Sequence, residues 1–146
     1  MPDLPGGIPK PPHAYVPGQT PRHPEDWFDP IKDGVREART AAELTQTKAF
    51  RAGLAYLEAG FFWECHEVLE AVWMQTAQDT AEREMVQALI QLANARLKLR
   101  MNRPRAVARL CDMVEVHLDK LPFDEAVLGI APAQVRAWTT TLRREI

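Results

Sequence analysis

The sequence predicts an all-α protein: a single compact array of about five helices behind a proline-rich, extended N-terminal tail. Three observations carry this prediction. Apolar residues recur at helical spacing from residue 40 onward. Helix punctuation, in the form of Gly60, Asn102, Pro104, Pro122 and Pro132, separates those stretches. No stretch alternates apolar and polar residues as a half-buried strand would.

The tail covers residues 1–30 and holds nine of the twelve prolines. Proline fixes φ and removes an amide donor, so this chain is extended or polyproline-like. It also carries Tyr15, Val16, Trp27 and Phe28, which a purely solvated tail seldom needs. Part of residues 10–30 is therefore expected to dock on the helical body.

Residues 31–146 are expected to form one helical domain. A short helix is predicted over 29–39. The segment Thr40-Ala-Ala-Glu43 has capping-box spacing and starts a helix to about residue 59, with Phe50, Leu54 and Leu57 as its apolar stripe. Gly60 is placed to end it. A second long helix spans about 61–76. Asp79, with Glu82 three residues on, is read as the cap of a third over about 80–100. Pro104 opens a fourth, reaching about residue 121. Ala131-Pro132 opens the last, through Val135, Trp138 and Leu142.

Composition sets limits on function. The chain has 146 residues, suited to one domain, with 46% hydrophobic and 26% charged residues. A net charge of −2 argues against an electrostatic nucleic-acid binder. The basic cluster Arg100, Arg103, Arg105 and Arg109 has no interleaved aromatics and reads as a solvated face or a local anion site. No apolar run reaches membrane-spanning length and no signal-peptide core opens the chain. Cys65 and Cys111 are isolated, which fits a reducing cytoplasm. The expected partner is at most a small molecule, with neither nucleic acid nor membrane; assembly into a homo-oligomer is left open. No cofactor is expected.

Chemistry concentrates in Phe61-Phe-Trp-Glu-Cys-His-Glu-Val-Leu-Glu-Ala-Val-Trp73. On a helix, His66 and Glu70 lie about 40° apart, and Phe62, Trp63, Leu69 and Trp73 fall within about 60° of His66. The pair is expected to be buried under these rings and hydrogen-bonded, since a buried carboxylate needs a partner. Glu64 and Glu67 point away and are expected to be more solvated. On the third helix Glu84, Gln87, Gln91, Asn94 and Lys98 share about 80° of arc. Gln87 and Gln91 either face solvent or hydrogen-bond the His66–Glu70 pair.

These residues also carry a resemblance. Phe50-x-x-Gly53 followed by Gly60-Phe-Phe-Trp-Glu-x-His66-Glu67-x-x-Glu70-x-x-Trp73 resembles the bacterial and archaeal family known as domain of unknown function 309. Its His-x-x-x-Glu-x-x-Trp signature is matched by His66, Glu70 and Trp73. Residues 86–93 are similar to its Gln-Gly-Leu-Ile-Gln block, and Asn102 and Ala106 fit its Gly-Asn-x-x-Gly-Ala element in part. Ala88, Met101 and Arg105 depart from the glycines usual there. The resemblance covers about residues 50–110. It implies a helical array with a site at His66 and Glu70, and no particular reaction.

Three functional readings follow. In the first, His66, Glu70, Trp63 and Trp73 form a buried network with a structural or interaction role. In the second, His66 and Glu70 are an acid–base pair in a small-molecule or hydrolase-like site, with Trp63, Trp73, Gln87 and Gln91 as ligand-binding residues. In the third, the pair binds a metal, with a further ligand from Glu84, His117, His13 or His23. Cys65 lies about 100° from His66 on the helix, which argues against a Cys–His dyad within it.

Overall fold

The computed structural model describes residues 3–146 and is all-helical, with seven α-helices and no strand among those residues. The helices are α1 (Asp29–Lys32), α2 (Ala41–Gln46), α3 (Lys48–Ala59), α4 (Phe62–Trp73), α5 (Ala81–Arg100), α6 (Pro104–Asp119) and α7 (Pro132–Arg143). The last five, each of 12 residues or more, are the main ones. The chain clusters into two compact units, one ending at Gln75 and the other running from Thr76 to Ile146. No helix among the described residues is long and apolar enough to cross a membrane.

The first unit is built on the hairpin of α3 and α4. Two expected helices are shorter than predicted. The helix over 29–39 stops at Lys32, because Gly34 takes a left-handed φ of 85° that turns the chain into a 3-10 turn at Val35–Glu37. The helix over 40–59 is broken at Thr47, whose φ of −65° and ψ of 148° are extended. Thr47 Oγ1 donates to Leu44 O at 2.7 Å and accepts from the Phe50 N–H at 3.2 Å. One hydroxyl thus closes α2 and caps α3, offering the backbone an alternative to continuous helix. Thr47→Ala should cost about 1 kcal/mol. A urea titration reads this directly, and an unchanged midpoint would refute the capping role.

Gly60 ends α3 as expected, at φ 89°. α3 buries Ala49, Phe50, Ala52, Gly53 and Tyr56, and α4 buries Glu64, Cys65, Val68, Leu69 and Val72. The two helices meet closely at Gly53, where an added Cβ would stand 2.3 Å from Leu69 Cδ2.

The tail belongs to this unit and is folded onto it. Ile8, Val16, His23 and Phe28 are buried. The Tyr56 hydroxyl donates to Pro9 O at 2.6 Å, and the Tyr15 N–H donates to Glu64 Oε2 at 2.8 Å. Burial, the Glu64 charge and the Asp3 charge together hold the Tyr56 phenol well above its ordinary range, so it remains a donor.

The second unit packs α5 against α6, with α7 against both. Its first cap is Thr80 and not Asp79: the Arg83 N–H donates to Thr80 Oγ1 at 3.3 Å. Asp79 lies one residue earlier at φ 60°, a left-handed turn that aspartate tolerates. Asn102, at φ 56°, ends the turn after α5, and Pro104 and Pro132 open α6 and α7. α6 stops at Asp119, short of Leu121, as the chain approaches Pro122. Val135, Thr139 and Leu142 are the buried stripe of α7, while Trp138 is only half-buried.

Candidate functional site

Helix α4 places the chemistry. Its third residue, Glu64, sits in the first turn, where the helix dipole favours negative charge. One turn on, His66 and Glu70 face the same way, and Nε2 of His66 lies 3.0 Å from Glu70 Oε1. The expected pairing is present, but the expected burial is not. The side chains are 22% and 54% exposed. The apolar neighbours in sequence do not close over Glu70, because it stands at the edge of a groove.

That groove has a volume of about 630 Å³ and lies between α1, the turn after it and α4. Glu67, Glu70 and Met74 form one wall, and Asp29, Lys32 and Asp33 another. His66 is not itself a wall residue; it stands behind Glu70. Its other ring nitrogen, Nδ1, is 3.2 Å from Trp63 O, so the ring is held from both sides. Glu67 reaches back toward the pair: His66, Glu67 and Glu70 each offer a ligand atom, all within 4.8 Å of one another. Lys32 Nζ donates to Glu67 Oε1 at 2.9 Å.

Trp63 is the indole that packs on His66, with ring centroids 6.0 Å apart. Its other contacts are with the tail: Tyr15 at 5.1 Å, Phe28 at 5.8 Å and His23 at 6.2 Å, with the Arg22 guanidinium 5.8 Å above it. Trp73 is half-buried at the last residue of α4. Gln87 and Gln91 are half-buried on α5 in the second unit, and Gln91 Oε1 accepts from Asn94 Nδ2 at 3.4 Å.

The fully buried pair is a different one. Glu64, expected to be solvated, is 0% exposed and accepts from His23 Nε2 at 2.6 Å. The helical wheel placed Glu64 correctly away from His66. The tail then covered that outward face. The only signal for this in the sequence was a histidine among the tail's aromatic residues. Cys65 is also fully buried, and burial with the Glu64 charge pushes its thiol well above the usual range, so it offers no nucleophile.

The four residues expected to supply a further metal ligand have other partners. His13 Nε2 is 2.6 Å from Pro21 O, His23 holds Glu64, and His117 Nδ1 is 2.6 Å from Glu84 Oε2. Sequence reasoning missed Glu67, because adjacent helical positions do not face each other. A long carboxylate arm overcomes the angle.

Comparison with curated proteins and with solved structures found no match. Residues 50–110, which hold Gly53, the whole of α4 and the whole of α5, match the model of the family described as Domain of unknown function (DUF309).

Proposed function

We propose that the groove beside α4 is a small-molecule site in which His66 and Glu70 work as an acid–base pair. The observation that carries this is the half-open position of the pair. A carboxylate that only anchored a core would be enclosed, as Glu64 is, whereas Glu70 is 54% exposed and lines a 630 Å³ groove. The structural role read for His66 and Glu70 from the sequence fits His23 and Glu64 instead.

The geometry supports a division of roles within this reading. Glu70 is the member that meets a ligand, and His66, held at Nδ1 by Trp63 O, buffers its charge and exchanges a proton with it. Five carboxylates line the groove (Asp29, Asp33, Glu37, Glu67 and Glu70) against the cations Lys32 and Arg36. That balance favours a small polar ligand bearing an amine. Two free, buried cysteines fit a reducing cytoplasm.

A thermal-shift panel of amine-bearing metabolites tests the reading. A ligand present at about a hundred times its Kd stabilises by roughly 2.7 kcal/mol, a rise of several degrees in Tm. Glu70→Gln should abolish that rise while leaving the ligand-free Tm within a degree or two, since exposed ion pairs contribute little. No shift across the panel, or one indifferent to Glu70→Gln, would refute the proposal.

A further inference from the structure

We propose that the cleft at the start of α6 binds a diphosphate group, free or carried by a small metabolite. The cleft lies within the second unit and does not depend on the reading of the α4 groove. It has a volume of about 480 Å³ and is lined by Lys98, Arg103, Pro104, Arg105, Ala106 and Arg109. Four of these residues are cations and none is a carboxylate. The whole chain carries a net charge of −2, so the local sign runs against that of the protein.

The cations of the cleft also lack counter-charges. Elsewhere in this unit Arg96, Arg136 and Arg143 each hold a carboxylate, at distances from 2.6 to 3.0 Å. The side chains of Lys98, Arg103, Arg105 and Arg109 make no hydrogen bond or ion pair among the described residues. Arg105 and Arg109 stand four apart on α6, where like charges face each other and destabilise a helix. An anion held between them removes that repulsion. Lys98, in the last turn of α5, is half-buried, so its charge is less screened by water than those of the three exposed arginines.

The turn fixes these groups relative to one another. Asn102 takes a φ of 56°, the Arg103 N–H donates to Lys98 O at 3.0 Å, and the Asn102 N–H donates to Leu99 O at 3.1 Å. This is a Schellman closure, which occupies carbonyls at the negative end of α5. The positive end of α6 stays open, because Arg103 supplies no side-chain cap. The N–H groups of Arg105 and Ala106 have no acceptor within the helix and add directed donors to the four charges.

Charge selects the ligand. A single phosphate carries about −1.5 to −2 and leaves much of the cleft's positive charge uncompensated. Two linked phosphates come nearer to balance, and they present the paired oxygens that guanidinium groups hold two at a time. No aromatic side chain lines the cleft to stack on a base, so the phosphate end is the part recognised.

Calorimetric titration of the full chain with inorganic pyrophosphate tests this, at about 0.15 M salt, where exposed charges more than about 8 Å apart are largely screened. One pyrophosphate per chain is expected, with inorganic phosphate about tenfold weaker. Arg105→Gln should weaken pyrophosphate about tenfold, and Arg105→Lys by less, because a point charge then replaces a two-pronged donor. Neither variant should lower the Tm, since Arg105 is exposed and its removal relieves the repulsion with Arg109. Arg109→Gln repeats the measurement should Arg105→Gln lose its fold. Arg136→Gln, outside the cleft, should leave binding unchanged. No pyrophosphate binding at this salt, an affinity indifferent to Arg105→Gln, or equal weakening by Arg136→Gln would each overturn the proposal. Vesicles bearing a phosphorylated inositol lipid separate the two sources of such a group. Binding to them without binding of free pyrophosphate would mark a membrane contact and overturn the small-molecule site.

Discussion

His23→Ala is expected to destabilise the protein by about 3 kcal/mol or more. Glu64 is 0% exposed and keeps two donors, His23 Nε2 at 2.6 Å and the Tyr15 N–H at 2.8 Å, both on Oε2. Neither Glu64 Oε1 nor His23 Nδ1 has a hydrogen-bond partner among the described residues. Removing the ring would leave a buried carboxylate on one backbone donor, and burying such a group without its partner is far more costly than losing an exposed pair. His66→Ala, which breaks the half-open pair, should by contrast cost under about 1 kcal/mol. Replacing His23 and Glu64 together by leucine should recover much of the loss, because no unpaired charge remains. Urea unfolding of the three variants measures this, with amide exchange at Tyr15 as a local readout. A loss below 1 kcal/mol in His23→Ala would show that the pair does not hold the tail.

Gly53→Ala should cost about 2–3 kcal/mol, although alanine is the better helix former. The added methyl carbon would stand 2.3 Å from Leu69 Cδ2 and 2.6 Å from Cγ. Leu69 is 0% exposed, so it cannot swing aside, and α3 and α4 must separate or distort. Leu69→Ala alone should cost about 2–5 kcal/mol through the cavity it leaves. The double variant should be clearly less than additive, since the methyl then enters space that Leu69 vacated. Additive losses in a denaturation cycle would place the damage elsewhere.

Much of the fold was legible because its boundaries obey local covalent rules. Gly60 and Asn102 take left-handed turns, and Pro104 and Pro132 stand where a missing N–H costs nothing. The Thr47 break was not legible, because apolar spacing continues across it and only a hydroxyl marks the change. The His66–Glu70 contact follows from the helical repeat. Its exposure does not, since what covers a face is decided by segments distant in sequence. The same holds for Glu64, whose partners lie 41 and 49 residues earlier.

Those separations also bear on the order of events in folding. The α3–α4 hairpin closes through contacts between neighbours in sequence, so its loop entropy is small. The links from Glu64 to Tyr15 and His23 must close much longer loops before any contact offsets the cost. The hairpin therefore forms with Glu64 still hydrated, and the proline-rich segment arrives afterwards. Dehydration of one carboxylate becomes a late step on the way in and an early one on the way out. Partial opening of the native state would then begin at the N-terminal strap, wetting Glu64 and baring the Trp63 indole while the two helices beneath stay paired.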